Sequence, residues 1–339
     1  MKKRVRVLQF GLGAMGSRMA EWVLNKENLE LVGAVVRSEE KFGRDISEVA
    51  GWKKKTGVKC YSAEQAYKLK PDVMLHAAVS YVPEVWKQIK PAVESGVNVI
   101  TIAEEMGYPF VKYPRLCRDM NNAAKRNNAR ILGSGINPGF MMDYLVLALS
   151  GILPDVNKIK ITRLVNFAPF GQAIQNNIGI GMKTDEFYKG IKNRKLPVHI
   201  GLPECIYMVA HALGWKVDKI KETKKPVVAD RNINVPGYKS VPKGKVCGFD
   251  QVGVGYSNGK AKIILEELGR VDPKTDYKHT IYLYGKHTNL VNTMNVPSGD
   301  LTTTAHAVNL IPAVLSCEPG LRTMLDVKVA PCLKDDLKQ

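Results

Sequence analysis

Apolar and polar positions alternate with period two over residues 4–10, Arg-Val-Arg-Val-Leu-Gln-Phe, and then give way to a glycine-rich stretch. Beyond it Met15, Met19, Trp22 and Val23 recur at helical spacing, and Leu29–Val36 forms a second apolar run. Strand, glycine turn, helix and strand in that order predict the βαβ unit of a parallel sheet. The rhythm continues with strands at Asp72–Val79, Val97–Thr101 and Arg130–Gly133 and helices at Val82–Ser95 and Tyr113–Asn127. Strands alternating with helices imply an α/β fold, an N-terminal Rossmann domain with a doubly wound parallel sheet, over residues 1–140.

The pattern then changes. Lys158–Phe167 alternates like a strand with one wet face, while Lys183–Lys192 and Pro203–Leu213 read as helices, the second ending at Gly214. From Lys245 to Val296 the chain reads as a meander: a strand to about Tyr256, a Ser257-Asn258-Gly259 turn, a return over Lys260–Leu268, and strands at Tyr277–Tyr284 and Asn289–Val296. Residues 141–299 are therefore expected to form a second α+β domain, on a mostly antiparallel open sheet, for substrate binding and dimerisation. Asp300–Leu315 is a last helical stretch interrupted by Pro312, and residues 300–339 are expected to pack back on the first domain.

Composition narrows the function classes. The 339 residues are 45% hydrophobic and 24% charged, a globular balance. No apolar run approaches the ~18 residues a membrane span needs. The basic start is followed by Gln9 and glycines instead of a signal-peptide core, so the chain is expected to be cytoplasmic. Cys60, Cys117, Cys205, Cys247, Cys317 and Cys332 are scattered, and the six histidines lack ligand spacing, so neither a disulfide framework nor a metal is expected. The formal charge of +18 raises nucleic-acid binding, but aromatics are only 7% and do not interleave with the basic runs. Lys53–Lys55 and the lysines of 216–225 read as solvated turns and helix faces. A positive field instead favours a phosphorylated cofactor and a carboxylate substrate.

The candidate chemistry begins at Gly11-Leu12-Gly13-Ala14-Met15-Gly16, which follows a strand and opens a helix. In that context Gly11 permits the tight turn, Gly13 lets the backbone approach a pyrophosphate, and Gly16 lets helix and strand pack closely. Free N–H groups and the positive helix end face the phosphates. Ala77 and Ala78 join this cofactor-binding set. After the second strand the chain reads Arg37-Ser38, where an NAD enzyme carries a carboxylate. A guanidinium grips a 2′-phosphate, so NADP is preferred and NAD is the alternative.

Glu104 directly follows a predicted parallel strand, which puts it at the carboxyl edge of the sheet where ligands bind. Glu105, its neighbour, must face elsewhere and is read as a supporting residue; capping a helix start is the bland role for Glu104. Asn137 follows another strand, either as an N-cap with Pro138 at the first helical position or as an amide reaching substrate or cofactor. Arg163 alternates with Ile161 and Val165 and could hold a substrate carboxylate, or it faces solvent; Asn166 could bind an amino group. Thr302 and Thr303, placed before the last helix, either bind substrate or cap it. His211 is read as structural, and His287 lies in a loop without an assigned role.

Gly11–Gly16, Ala103-Glu104-Glu105-Met106, Asn137-Pro138-Gly139-Phe140-Met141-Met142-Asp143, Arg163-Leu164-Val165-Asn166-Phe167 and Asp300-Leu301-Thr302-Thr303-Thr304 together resemble the 2,4-diaminopentanoate dehydrogenases and related amine dehydrogenases, built like dihydrodipicolinate reductase. The resemblance spans nearly the whole chain. It implies oxidative deamination of an amine carbon to a ketone with a nicotinamide cofactor, and it places the family's catalytic carboxylate on Glu104. That chemistry asks one group to deprotonate an ammonium, activate water and carry protons to departing ammonia, for which enzymes tune carboxylates near neutral pH. A dihydrodipicolinate reductase would carry His-His…Lys and Ser-Gly-Thr motifs, which are absent here. The rivals are a dihydrodipicolinate-type reductase, against which those absences count, a hydroxy-acid dehydrogenase and a non-catalytic NADP-binding sensor. An open antiparallel sheet would suit a homodimer, and no nucleic-acid or membrane partner is expected.

Overall fold

The computed structural model describes residues 4–235, 240–272 and 277–335. The chain divides into two compact units, Met1–Phe140 with Asp300–Gln339, and Met141–Gly299. In the first unit the strands are β1 (Val5–Phe10), β2 (Leu29–Val35), β3 (Cys60–Tyr61), β4 (Val73–His76), β5 (Asn98–Thr101) and β6 (Arg130–Gly133). In the second they are β7 (Lys158–Asn166), β8 (Lys219–Val228), β9 (Val246–Ser257), β10 (Lys260–Arg270), β11 (Lys278–Tyr284) and β12 (Asn289–Met294). A last strand, β13 (Gly320–Arg322), returns to the first unit.

The first sheet is parallel throughout, in the order β13-β6-β5-β4-β1-β2-β3. The order reverses beside β1, so the carboxyl ends of β1 and β4 diverge into a crevice. Among the described residues seven helices serve this unit: α1 (Ala14–Leu24), α2 (Ile46–Ala50), α3 (Ala63–Tyr67), α4 (Val82–Glu94), α5 (Pro114–Arg126) and, after the second unit's helices, a C-terminal pair. Leu8, Met74 and Val99 of the sheet pack with Val85, Trp86 and Ile89 of α4 and Met120 of α5 in one core. Burying each such side chain contributes roughly 1.5–3 kcal/mol.

The second unit holds α6 (Tyr144–Ser150), α7 (Gln172–Asn177), α8 (Thr184–Lys192) and α9 (Leu202–Ala212); the C-terminal pair is α10 (Gly299–Asn309) and α11 (Ile311–Leu315). Pro312 sits at the start of α11, where its missing N–H is harmless, so the expected interruption is a clean break between two helices. Trp22 Nε1 donates to Thr304 Oγ1 at 3.0 Å and Arg18 pairs with Asp300 at 2.7 Å, which fastens α10 to α1.

The second sheet runs β12-β11-β7-β10-β9-β8. The meander expectation fails here: β7 inserts between β10 and β11 and pairs parallel with β10. Local turn chemistry reveals only sequential hairpins, such as the β9–β10 turn where Asn258 and Gly259 both take positive φ. The long-range insertion of β7 has no such local signal. The basic stretch within residues 216–225 also differs from its reading as turns and helix faces, since Lys219–Val228 is an edge strand paired antiparallel with β9. Lysines and Pro226 are tolerated there because an edge needs partners on one side only.

One row crosses this sheet against its apolar pattern. On the buried face, His279 of β11 lies beside Arg163 of β7, Arg163 beside Glu267 of β10, Glu267 beside Gln251 of β9, and Gln251 beside Lys224 of β8. The row separates an Ile159–Ile161–Leu265–Ile281 cluster from a Val165–Phe167–Phe249 cluster. His279 is 1% exposed and donates through Nε2 to Met141 O at 3.1 Å. Burial, reinforced by Arg163, lowers its pKa from 6.5 to about 4. The unfolded chain therefore binds a proton in this window that the folded unit refuses. The stabilisation is complete above pH 6.5 and is lost as pH falls through about 4. Chemical denaturation across that range is expected to show a loss of up to about 3 kcal/mol from this group, and His279→Gln, which keeps the donor, a flatter profile.

Candidate active site

β1 ends at Phe10, and Gly11 turns the chain at φ 90° into α1, whose cap is Gly13. A Cβ on Gly11 would lie 2.7 Å from Ala77 O, and one on Gly16 would lie 2.0 Å from Gly11 O. Helix and strand thus meet at a distance only glycine allows. Gly13 is different, since a Cβ there would meet nothing within 4 Å. Its backbone borders a cavity of about 820 Å³ at the carboxyl ends of β1, β2 and β4.

That cavity brings together Gly11, Leu12, Gly13, Arg37, Ser38, Ala77 and Ala78. Ala14 and Met15 stand in the first turn of α1 and Gly16 is buried behind it; none of the three lines the cavity. Lys41, which sequence reasoning passed over, joins Arg37 and Ser38 in the lining, and among the described residues no carboxylate does. Glu39 and Glu40 occupy the short turn Glu39–Lys41 that carries Lys41 into place. An open backbone glycine at a helix start, small alanines and a cation-bearing rim suit a phosphorylated dinucleotide.

Glu104 opens the 3-10 turn Glu104–Gly107 just past β5 and is half-buried. Among the described residues its carboxylate has no hydrogen-bond or ion-pair partner. Glu105 is the reverse: 1% exposed, it accepts from Val82 N at 3.1 Å and pairs with Lys112. Burial works against a charged Lys112, but its hydrogen bond with Glu105 raises the ammonium's pKa overall. Glu105 N also donates to Ser80 O at 3.3 Å, so this residue binds the turn to the loop after β4.

The turn packs against the segment after β6. A Cβ on Gly133 would lie 2.2 Å from Met106 O, and one on Gly107 would lie 2.9 Å from Pro138 Cγ. Asn137 is 7% exposed in that segment. The helix-capping role expected for it is not found: the Asn137–Pro138 peptide is cis, residues 137–143 form turns, and the next helix begins at Tyr144 under an Asp143 cap. Thr302 and Thr303 do not precede the last helix but lie within the first turns of α10, because that helix already opens at Gly299. Thr303 Oγ1 accepts from Ile136 N at 3.2 Å, which holds α10 beside the Asn137 segment.

In the second unit Arg163 is 9% exposed, and its charged neighbour is Glu267 at 3.8 Å. Among the described residues no acceptor hydrogen-bonds its guanidinium, an arrangement that invites an anion. His199 Nδ1 lies 2.9 Å from Glu267 Oε2. Although burial pushes the Glu267 carboxyl up, His199 and then Arg163 hold its pKa down at about 2. Gln251 receives His199 N at 3.2 Å and donates to His199 O at 2.9 Å, and Lys224 donates to Pro197 O at 2.7 Å. Asn166 Oδ1 accepts from Ala168 N at 2.9 Å, so the acceptor an amino group would use already holds a turn. His211 is exposed on α9, and His287 pairs with Asp155 in a surface loop. Among the described residues no cluster could hold a metal, and no helix is long and apolar enough to cross a membrane.

Residues 140–339 match the family described as the 2,4-diaminopentanoate dehydrogenase C-terminal domain, and residues 5–101 match the dihydrodipicolinate reductase N-terminus. The chain is 35% identical over 344 aligned residues to a 2,4-diaminopentanoate dehydrogenase of Acetoanaerobium sticklandii, covering 99% of this chain and 97% of that one. It is 23% identical to an amine dehydrogenase of Streptomyces virginiae, covering 97% and 98%. The solved amine dehydrogenase of Mycobacterium smegmatis superposes with a TM-score of 0.86 at 25% identity, covering 97% of this chain and 98% of that chain.

The glycine geometry separates two effects. Gly13→Ala is expected to fold normally while weakening dinucleotide binding by about tenfold or more, because its methyl enters the space the phosphates approach. Gly16→Ala should instead lower the melting temperature, since its methyl collides with Gly11 O. Calorimetric melting beside dinucleotide titration checks both.

Proposed function

The chain belongs to the 2,4-diaminopentanoate dehydrogenase family, and from that premise we propose that it oxidatively deaminates 2,4-diaminopentanoate at C4 to 2-amino-4-oxopentanoate, with NADP as preferred acceptor. The reverse reaction is reductive amination of the ketone. The observation that carries this reading is Glu104, an unengaged, half-buried carboxylate at the same sheet edge as the dinucleotide cavity.

Gly11–Gly13, Ala77 and Ala78 would hold the pyrophosphate and the adjoining part of the dinucleotide, and Arg37, Ser38 and Lys41 its 2′-phosphate. When bound, the nicotinamide accepts a hydride from the amine-bearing carbon. Glu104 first takes a proton from the substrate ammonium, which frees the nitrogen lone pair. It passes that proton to solvent and, a carboxylate again, takes a proton from the water that adds to the resulting iminium carbon. Finally it returns this second proton to nitrogen, and as the C–N bond breaks the carbinolamine hydroxyl proton goes to the departing ammonia. Amine, water and oxidised cofactor thus yield ketone, ammonium, reduced cofactor and one proton. Arg163 receives the substrate carboxylate through its uncommitted N–H groups. Pro138, next to Asn137, packs against the Glu104 turn, and Thr303 holds the same segment through Ile136 N.

Glu104→Gln is expected to lower kcat by about 10²–10⁴-fold, as loss of a general acid–base does, with dinucleotide affinity retained. Arg163→Met should raise KM for the carboxylated diamine by about 10–100-fold, the worth of a charged hydrogen bond, and leave a simple alkylamine unaffected. Full turnover in the first variant, or equal KM effects on both substrates in the second, would overturn the corresponding role.

For the cofactor, steady-state comparison of the two dinucleotides is decisive. The Arg37→Ala/Lys41→Ala double variant is expected to lose about tenfold or more in kcat/KM with NADP and little with NAD. An unchanged ratio would remove both cations from the 2′-phosphate.

A further inference from the structure

A chain of buried polar side chains runs from the wall of the dinucleotide cavity to the backbone just ahead of Glu104. Gln88 of α4 and Phe10 of β1 both line the cavity. Behind them His76, at the end of β4, is fully buried, its ring 5.2 Å from that of Phe10. His76 Nε2 lies 2.9 Å from Gln88 Oε1, and Nδ1 lies 2.8 Å from the hydroxyl of Thr101, which is also fully buried at the end of β5. Thr101 Oγ1 in turn accepts the Ala103 N–H at 3.1 Å. Burial disfavours the charged ring, so His76 is neutral and carries a single N–H. With Nε2–H donating to Gln88 Oε1 and the Thr101 hydroxyl donating to Nδ1, the imidazole N–H, the Thr101 hydroxyl and the Ala103 N–H each meet an acceptor.

Such a network is costly at two buried strand ends that neighbouring positions fill with apolar residues. Met74 and Leu75 precede His76, and Val99 and Ile100 precede Thr101, all fully buried. Placing an imidazole and a hydroxyl there requires complete hydrogen bonding, and what the network fixes is the backbone direction at Ala103. That direction aims the next side chain, Glu104. Glu105 clasps the far side of the same turn to the start of α4, the helix that carries Gln88.

We propose that His76 and Thr101 are positioning residues: they set the Glu104 turn against the wall of the dinucleotide cavity, so that the proton-carrying carboxylate is held in register with the bound cofactor. The inference rests on Glu104 as the proton carrier. An error of about 1 Å at a reacting group costs as much as 10²-fold in rate. The role therefore predicts a loss in kcat, not in cofactor affinity.

Thr101→Val is nearly isosteric and removes the hydroxyl; Thr101→Ser restores it; His76→Phe keeps the ring packing and removes both hydrogen bonds. Thr101→Val and His76→Phe are expected to lower kcat about tenfold or more with NADP Kd within about twofold, and Thr101→Ser to stay within about threefold of the parent. The inference is overturned if Thr101→Val keeps its kcat, if Kd loosens in step with the loss of kcat, or if Thr101→Ser falls as far as Thr101→Val. Should His76→Phe fail to fold, the two threonine variants decide alone. Glu104→Gln in the same series separates the two readings. Full activity there removes the proton carrier itself, whereas an inactive Glu104→Gln beside an active Thr101→Val removes only the positioning role.

Discussion

The close approach of β1 and α1 is the contact on which the first unit's chemistry depends. Gly16 stands so near the turn at Gly11 that a methyl group would sit 2.0 Å from the Gly11 carbonyl oxygen. Only with that contact closed does α1 start directly at the carboxyl end of β1 with Gly13 facing open space. The helix N-terminus, the cavity and the crevice between β1 and β4 are then one feature seen from three sides. Arg37, Ser38 and Lys41 gain their meaning from it, because they rim a space that exists only once the turn is tight.

The same economy of space recurs along the carboxyl edge. Gly133 and Gly107 let the Glu104 turn press against the end of β6 and Pro138, as their missing side chains would collide there. Polar groups then hold what the glycines admit. Glu105 ties the turn to the start of α4, Thr101 ties its backbone to His76, and Thr303 ties α10 to the Asn137 segment. In the second unit a polar row splits an otherwise apolar sheet face, with Glu267 held ionised between His199 and Arg163. Buried charges of this kind stabilise little by themselves, so their retention points to use more than to strength.

Much of the fold could be read from periodicity. Apolar runs, period-two alternation and 3.6-residue periodicity located β1, β2, β5, β6 and β7 and α1, α4 and α5 to within a residue or two, because each carries its burial in its own local pattern. The edge strand β8 escaped detection because lysines and a proline suit an edge and look like a solvated turn. The meander failed at β7, whose two partners lie far along the chain. Among site residues, Glu104 and Glu105 are adjacent identical carboxylates, and only packing assigns one to the core and leaves the other unengaged. His199 and Glu267 did leave a trace. Glu267 occupies the apolar phase of β10 just as Arg163 does in β7 and His279 in β11, and one polar residue on the apolar phase of several strands is a pattern that could be sought.

The sequence by itself determined the alternation of elements, the glycine turn with its place between strand and helix, and the Arg37-Ser38 pair that stands just after β2 in place of a carboxylate. These are local properties, carried by side-chain period and by the backbone freedom of single residues. Tertiary structure alone decided the insertion of β7 beside β10 and the relay from Gln88 through His76 to Thr101. Each of these joins residues whose spacing in the chain says nothing of their distance in space, and each exists only after the sheets have closed their registers.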